Sequence, residues 1–156
     1  MRALLQRVTR AQVRIDGEVV GRIGPGLAVL LGVGQDDDES IGEALAAKVV
    51  ALRIFADDQG LTNRSLAEVG GHVLVVSQFT LYADTRKGRR PSFIRAGNPE
   101  LGERLYERFC DQLAALGVHV ERGRFGANMD VELVNEGPFT IWLDSEELGL
   151  RAKTGS

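Results

Sequence analysis

The sequence predicts one α+β domain with two main helices, and three observations carry that prediction. Short alternating or continuous apolar runs bounded by Gly, Pro and Asp mark strands. Two longer stretches repeat their apolar residues about one helical turn apart. No repeat and no Pro/Gly/Ser-rich linker divides the chain. At 156 residues the length suits a single domain. Its 44% apolar and 26% charged residues match a folded soluble domain rather than a disordered one.

The elements follow in order. Gln12-Val13-Arg14-Ile15 and Glu18-Val19-Val20-Gly21 flank Asp16-Gly17, the dipeptide that supplies the positive φ angles of a two-residue hairpin turn. Gly24-Pro25-Gly26 makes a second turn. It leads into Leu27 to Val33, whose unbroken apolar character suits a strand buried on both faces. Asp36-Asp37-Asp38-Glu39-Ser40 precedes a helix with Ile41, Leu45, Val49 and Leu52 on one face. The acidic cluster lacks the spacing of a calcium loop and is read as the solvated start of that helix. His72 to Leu81 predicts a β-branched-rich strand, followed by a loop from Asp84 to Pro91. From Asn98-Pro99 a second helix places Leu101, Leu105, Phe109, Leu113 and Leu116 in one stripe, with Gly117 as its stop and Cys110 packed beside it. Strands at 118–122, 130–135 and 139–143 close the domain, which spans 1–144. Residues 145–156 carry no pattern and are expected to be a mobile tail.

Several function classes drop out. A single cysteine forbids an intrachain disulfide and a four-cysteine zinc site, and two histidines do not suit a His-rich metal centre. No metal and no cofactor is expected. No apolar run approaches the roughly 20 residues that span a bilayer, and the N-terminus lacks a signal-peptide core. A cytoplasmic protein without a membrane partner is the expectation. The net charge of −3 does not suit a general nucleic-acid coat, and no DNA partner is expected. There is no G-x-S-x-G elbow, no P-loop and no H-E-x-x-H. Gly32-Val33-Gly34 lacks the third glycine of a dinucleotide fingerprint and reads as turn chemistry. His72 and His119 are strand residues rather than general bases.

The remaining candidates are modest. Ser77 and Thr80 are hydroxyls at a strand end with no base near them, as a nucleophile would need. Arg86-Lys87-Gly88-Arg89-Arg90 packs four cations into five residues, either a solvated turn or a contact for RNA phosphates. Phe93 and Met129 are core residues or supports for an unstacked base. Gly137-Pro138 alone reads as a turn, because only about 5–6% of X–Pro bonds in folded proteins are cis.

Ser77-Gln78-Phe79-Thr80-Leu81 and Asn135-Glu136-Gly137-Pro138-Phe139-Thr140 resemble the two signature motifs of the D-aminoacyl-tRNA deacylases. Gln6 to Ala11, Arg90 to Phe93, Gly123 to Ala127 and Met129 are similar to that family too, so the resemblance covers Met1 to about Leu143. It implies a mostly antiparallel, barrel-like fold and a homodimer with active sites at the subunit interface. It also implies hydrolysis of the ester between a D-amino acid and the 3′-terminal adenosine of tRNA, a proofreading reaction. In such enzymes the Gly-Pro peptide is cis and enters the partner's pocket, where its carbonyls exclude an L side chain; glycine, having none, is admitted. Carried onto this sequence, Gly137 and Pro138 are the selector. The main chain around Gln78, Phe79 and Thr80, following Ser77, stabilises the oxyanion, with a ribose hydroxyl of the tRNA assisting water. Phe93 and Met129 support the adenine and Arg7 buttresses the Gly-Pro segment. Lys87, Arg89, Arg90 and Asn135 complete the substrate-binding set. A non-catalytic RNA-binding module and a Thr80 or Ser77 nucleophile are the alternatives.

Overall fold

The computed structural model describes residues 1–153. A long first strand β1 (Arg2–Ile15) organises the domain. Along one edge it pairs antiparallel with β3 (Gly26–Gly32) through Arg2–Val8 and with β2 (Glu18–Ile23) through Ala11–Ile15. Along its other edge it pairs antiparallel with β8 (Asp130–Asp144) over nearly its whole length. β3 then runs parallel to β6 (His72–Ser77), and β6 parallel to β7 (Val120–Arg122), giving the order β2-β1-β3-β6-β7. This mixed sheet curls into a nearly closed barrel-like form. Val8, Val13, Ile23, Ala28, Leu74 and Val76 fill its inside. The larger core, on the other face, is covered by α1 (Glu39–Ala51) and α3 (Pro99–Ala115). The α+β, barrel-like expectation therefore holds.

Local chemistry explains the elements. Asp16 and Gly17 have φ of 50° and 80°, the left-handed pair that closes the β1–β2 hairpin with Ile15 opposite Glu18. β3 is buried along its length, as strands flanked on both faces must be. Asp38 caps α1 by accepting from the Ile41 N–H at 3.0 Å, and Asn98 caps α3 from the Leu101 N–H at 2.9 Å with Pro99 at the first helical position. Leu105, Phe109 and Leu113 are buried, while Leu116 caps the helix and is 40% exposed. Cys110 is fully buried, and burial pushes its thiol up to about 12, so it packs rather than reacts.

The structure departs from the sequence reading in several places. The acidic cluster is not simply solvated: Asp37 is half-buried and accepts from the α-amino group of Met1 at 2.6 Å and from the Gly34 N–H at 2.6 Å. A hairpin of β4 (Arg53–Ala56) and β5 (Thr62–Ser65), followed by the short α2 (Leu66–Val69), lies in a stretch too polar to show strand periodicity. β6 ends at Ser77, not Leu81; Phe79–Tyr82 coil into a 3₁₀ turn because Gln78 leaves extended geometry at φ −147° and ψ 79°. β7 starts at Val120, which leaves His119 outside it. The strands expected at 130–135 and 139–143 are one strand, β8, and Gly137-Pro138 lies inside it as a cis peptide.

The expected tail also begins later than its polarity suggests. Ser145 is buried: its N–H donates to the Met1 carbonyl at 2.8 Å and its hydroxyl accepts from the Met1 amino group at 2.6 Å. Leu150 packs on the core. Residues 145–150 are thus folded onto the start of β1, through contacts that no sequence period announces. The last three residues, 154–156, lie outside the described part of the chain. No helix among the described residues is long and apolar enough to cross a membrane.

Candidate active site

A cavity of about 760 Å³ opens where β6 ends. One wall is Ser77, Gln78 and Phe79; the facing walls come from Phe93, the start of α3 and the segment from Phe125 to Met129. The 3₁₀ turn shapes its rim. The Gln78 N–H is not available to a ligand, because it donates to the Leu31 carbonyl at 2.7 Å and so ties the end of β6 to β3. Phe79 and Thr80 differ. Their N–H groups open the turn and have no acceptor among the described residues, as the first donors of any helical turn lack internal partners. The oxyanion donors expected at Gln78, Phe79 and Thr80 thus reduce to the latter two.

Side chains at the rim offer no nucleophile–base pair. The Thr80 hydroxyl contacts the Gln78 side-chain amide, which is no base. His72 and His119 meet at a tilt of 45° with ring centroids 4.4 Å apart, and neither lines the cavity. Burial raises the Tyr106 hydroxyl above the ordinary phenol range, and it donates to the Val75 carbonyl at 2.8 Å, so it stays protonated. Among the described residues no cluster of His, Cys, Asp and Glu could hold a metal ion.

The cavity walls are otherwise apolar. The Phe79 ring, 57% exposed, meets Phe93 edge-on with centroids 5.0 Å apart, a favourable aromatic geometry. Met129 lines the opposite side, and it gets there because residue 123 is glycine. A Cβ on Gly123 would stand 2.6 Å from the Met129 sulfur. Gly102 plays the same part for Phe125, with a Cβ position 3.1 Å from that ring. Sequence reading missed Gly102, Tyr106 and Phe125 as wall residues; only the chain's return from α3 across the end of β6 brings them together.

The second group of expected residues lies elsewhere. Gln6 pairs with Thr140 and Val8 with Asn135, so the four residues 136–139 stand opposite Arg7 alone. This wide bulge lifts Gly137-Pro138 out of the ladder, exposed to solvent. The Asn135 side-chain amide closes its neck, donating to the Arg7 carbonyl at 2.8 Å and the Phe139 carbonyl at 2.9 Å. The Arg7 guanidinium lies beneath: it donates to the Ile54 carbonyl at 2.8 Å and covers the Phe139 ring at 4.6 Å. It also faces the Glu136 carboxylate at 3.4 Å. Gly137 has φ of 123°, and a Cβ there would meet Arg7 Nη2 at 3.1 Å. Neither Gly137 nor Pro138 lines the chain's own cavity.

The basic loop forms a third group. Asp84 and Ser92 exchange backbone hydrogen bonds at 2.7 and 2.9 Å, closing its neck next to Phe93. Arg86 is held by the Asp84 carboxylate at 2.7 and 2.9 Å, and this contact brings that carboxyl down to about 2. Lys87, Arg89 and Arg90 are exposed, with no carboxylate partner among the described residues.

Comparison with known proteins places the chain in a family. A sequence profile described as D-Tyr-tRNA(Tyr) deacylase matches residues 4–144, which places the chain among the hydrolases. The chain belongs to the D-aminoacyl-tRNA deacylase family. It is 60% identical over 147 residues to a D-aminoacyl-tRNA deacylase of Symbiobacterium thermophilum, covering 94% of this chain and 97% of that one. It is 59% identical over 144 residues to a D-aminoacyl-tRNA deacylase of Ruegeria pomeroyi, covering 92% and 99%. A solved structure of a c-Myc DNA unwinding element binding protein superposes with a TM-score of 0.87 at 39% identity, covering 93% of this chain and 99% of that one. A probable eukaryotic D-amino acid tRNA deacylase shares the fold with a TM-score of 0.80 at 22% identity, covering 91% and 97%.

Proposed function

We propose that this protein hydrolyses the ester joining a D-amino acid to the 3′-terminal adenosine of tRNA and spares the L-ester. The observation that carries this reading is the pairing of two features. One is a cavity with free main-chain donors and apolar walls; the other is an exposed Gly137-Pro138 bulge, outside that cavity, whose tip carries no side chain at Gly137. Phe93 and Met129 hold the adenine between them. The ester carbonyl points at the Phe79 and Thr80 N–H groups, which stabilise the negative charge that develops as water adds. The neighbouring ribose hydroxyl accepts the water's proton as it passes its own to the departing ribose oxygen. The carbon–oxygen bond to the ribose then breaks, its oxygen is protonated, and the free D-amino acid and tRNA leave. An ester is activated enough for this without a side-chain nucleophile.

Selection comes from a second copy of the chain. The Gly137-Pro138 bulge of one protomer enters the other's cavity, and its main chain fills the space that an L side chain would need. A D side chain points away, and glycyl-tRNA is also accepted. This is discrimination by exclusion rather than by added attraction. A homodimer is supported by β8, which among the described residues pairs with β1 alone and exposes Val131, Val134 and Trp142. Lys87, Arg89 and Arg90 meet tRNA phosphates beside the cavity, and the protein works in the cytoplasm, where charged tRNA is found.

The decisive assay incubates the protein with D-Tyr-tRNA and L-Tyr-tRNA. The D-ester is expected to disappear and the L-ester to persist. Survival of both, or equal loss of both, overturns the reading; saturable tRNA binding without ester loss would point to a non-catalytic RNA-binding module. Thr80→Val separates main-chain catalysis from a Thr80 nucleophile. The backbone N–H remains, so turnover is expected to stay within about tenfold of wild type, whereas loss of a true nucleophile costs about 10⁴-fold or more.

A further inference from the structure

Of Gly32-Val33-Gly34 only Gly34 takes part in a turn, its carbonyl accepting from the Asp37 N–H at 3.2 Å. Gly32 ends β3 and Gly34 follows it, both facing the 3₁₀ turn that carries Phe79 and Thr80. A Cβ on Gly32 would stand 3.0 Å from the Gln78 carbonyl oxygen and 3.2 Å from the Leu81 Cβ. One on Gly34 would stand 2.7 Å from the Tyr82 hydroxyl and 2.9 Å from its ring. The two glycines form a trough in which the turn lies. From the other side Arg2 closes over it. Its Nη1 donates to the Leu81 carbonyl at 2.8 Å and its Nε to the Asp144 carboxylate at 2.9 Å. The guanidinium lies 4.5 Å over the Tyr82 ring and 5.6 Å over Trp142. A single 3₁₀ turn has little stability of its own, and its terminal carbonyls lack internal donors. Arg2 supplies one.

We propose that Arg2, working with the Gly32 and Gly34 trough, is a positioning residue that sets the height and tilt of the Phe79–Tyr82 turn, and so the aim of the Phe79 and Thr80 N–H groups. This rests on the role given to those two groups under the proposed function. Arg2 does not line the cavity, so it acts through the turn. Oxyanion donors work only when held about 2.7–3.1 Å from the developing charge, and displacements near 1 Å cost about 100-fold in rate. A lysine at position 2 can keep the pair with Asp144, but it lacks the planar fork that also reaches the Leu81 carbonyl.

The test compares wild type, Arg2→Lys and Asp144→Asn, the last loosening Arg2 while leaving the turn's own residues intact. Steady-state hydrolysis of D-Tyr-tRNA is measured, together with binding of an amide-linked, non-hydrolysable D-tyrosyl-3′-amino-adenosine. The expected result for Arg2→Lys is a kcat reduced about 10- to 100-fold, with KM and analogue affinity within about twofold of wild type. Asp144→Asn should show a smaller fall in kcat with the same split. Wild-type kcat in both variants overturns the proposal, and so does a loss carried equally by KM and analogue affinity. If Arg2→Lys does not fold, Asp144→Asn decides alone. A wild-type protein that leaves D-Tyr-tRNA intact sinks the proposed function instead, whereas active wild type with equally active variants sinks only this inference.

Discussion

Replacing Gly137 by alanine is expected to lower kcat/KM for D-Tyr-tRNA by about 100-fold, some 2.7 kcal/mol of transition-state stabilisation. Two independent effects act at this position. The backbone φ of 123° is one that residues with a Cβ rarely adopt, at a cost of order 1–3 kcal/mol. The new methyl group would also sit 3.1 Å from Arg7 Nη2 and 3.3 Å from the Phe139 Cβ, so the bulge must shift. Since Gly137 itself is exposed and outside both hydrophobic cores, folding should lose no more than this strain, about 1–3 kcal/mol. Steady-state kinetics beside a urea titration at fixed protein concentration separates the two losses. Wild-type turnover in this variant would remove Gly137 from the site.

Arg7→Ala should act from beneath with comparable force, again about 100-fold in kcat/KM. The guanidinium joins the Ile54 carbonyl, the Phe139 ring and the Glu136 carboxylate, so it ties the bulge to the β4–β5 hairpin. Glu136 is half exposed and water can replace its partner, so the ion pair itself contributes little. The loss comes from the unsupported Phe139 ring and the unpartnered Ile54 carbonyl. Arg7→Lys should recover part of the activity, to about tenfold below wild type, because an ammonium can reach the carbonyl but cannot lie flat on the ring. Equal activity in Arg7→Ala and wild type would show that the bulge holds its shape unaided.

What the sequence made legible has a physical pattern. The Asp16-Gly17 hairpin, β3 and both main helices follow from periodicity and from turn or capping residues acting within a few positions, and all of them form. The misreadings occur where distant contacts decide. Phe79 to Leu81 have strand composition, but Gln78 is bound to Leu31 and the chain coils over the glycine trough of β3. Gly137-Pro138 has turn composition, yet the pairing of β1 with β8 continues on both sides and makes it a bulge. Ser145 looks like tail, but the Met1 amino group and carbonyl both bind it. Of the residues lining the cavity, Ser77 to Phe79, Phe93 and Met129 were singled out through family likeness. Gly123 and Gly102 were not, because a missing side chain leaves no chemical mark on a sequence and gains meaning only when Met129 or Phe125 occupies the space.

The bulge has a consequence for synthesis of the chain. Asn135 grips the carbonyl of Arg7, a residue 128 positions earlier, and the cavity likewise needs Phe125 to Met129 to be walled. Contacts at such separations form late, and a chain growing from its N-terminus cannot make them until nearly all of it has emerged. Until then β1, β3 and β6 can assemble, but they carry neither a closed pocket nor the Gly137-Pro138 bulge. Pocket and bulge are thus both completed only by the last stretch of polypeptide, and a chain cut short before it presents neither.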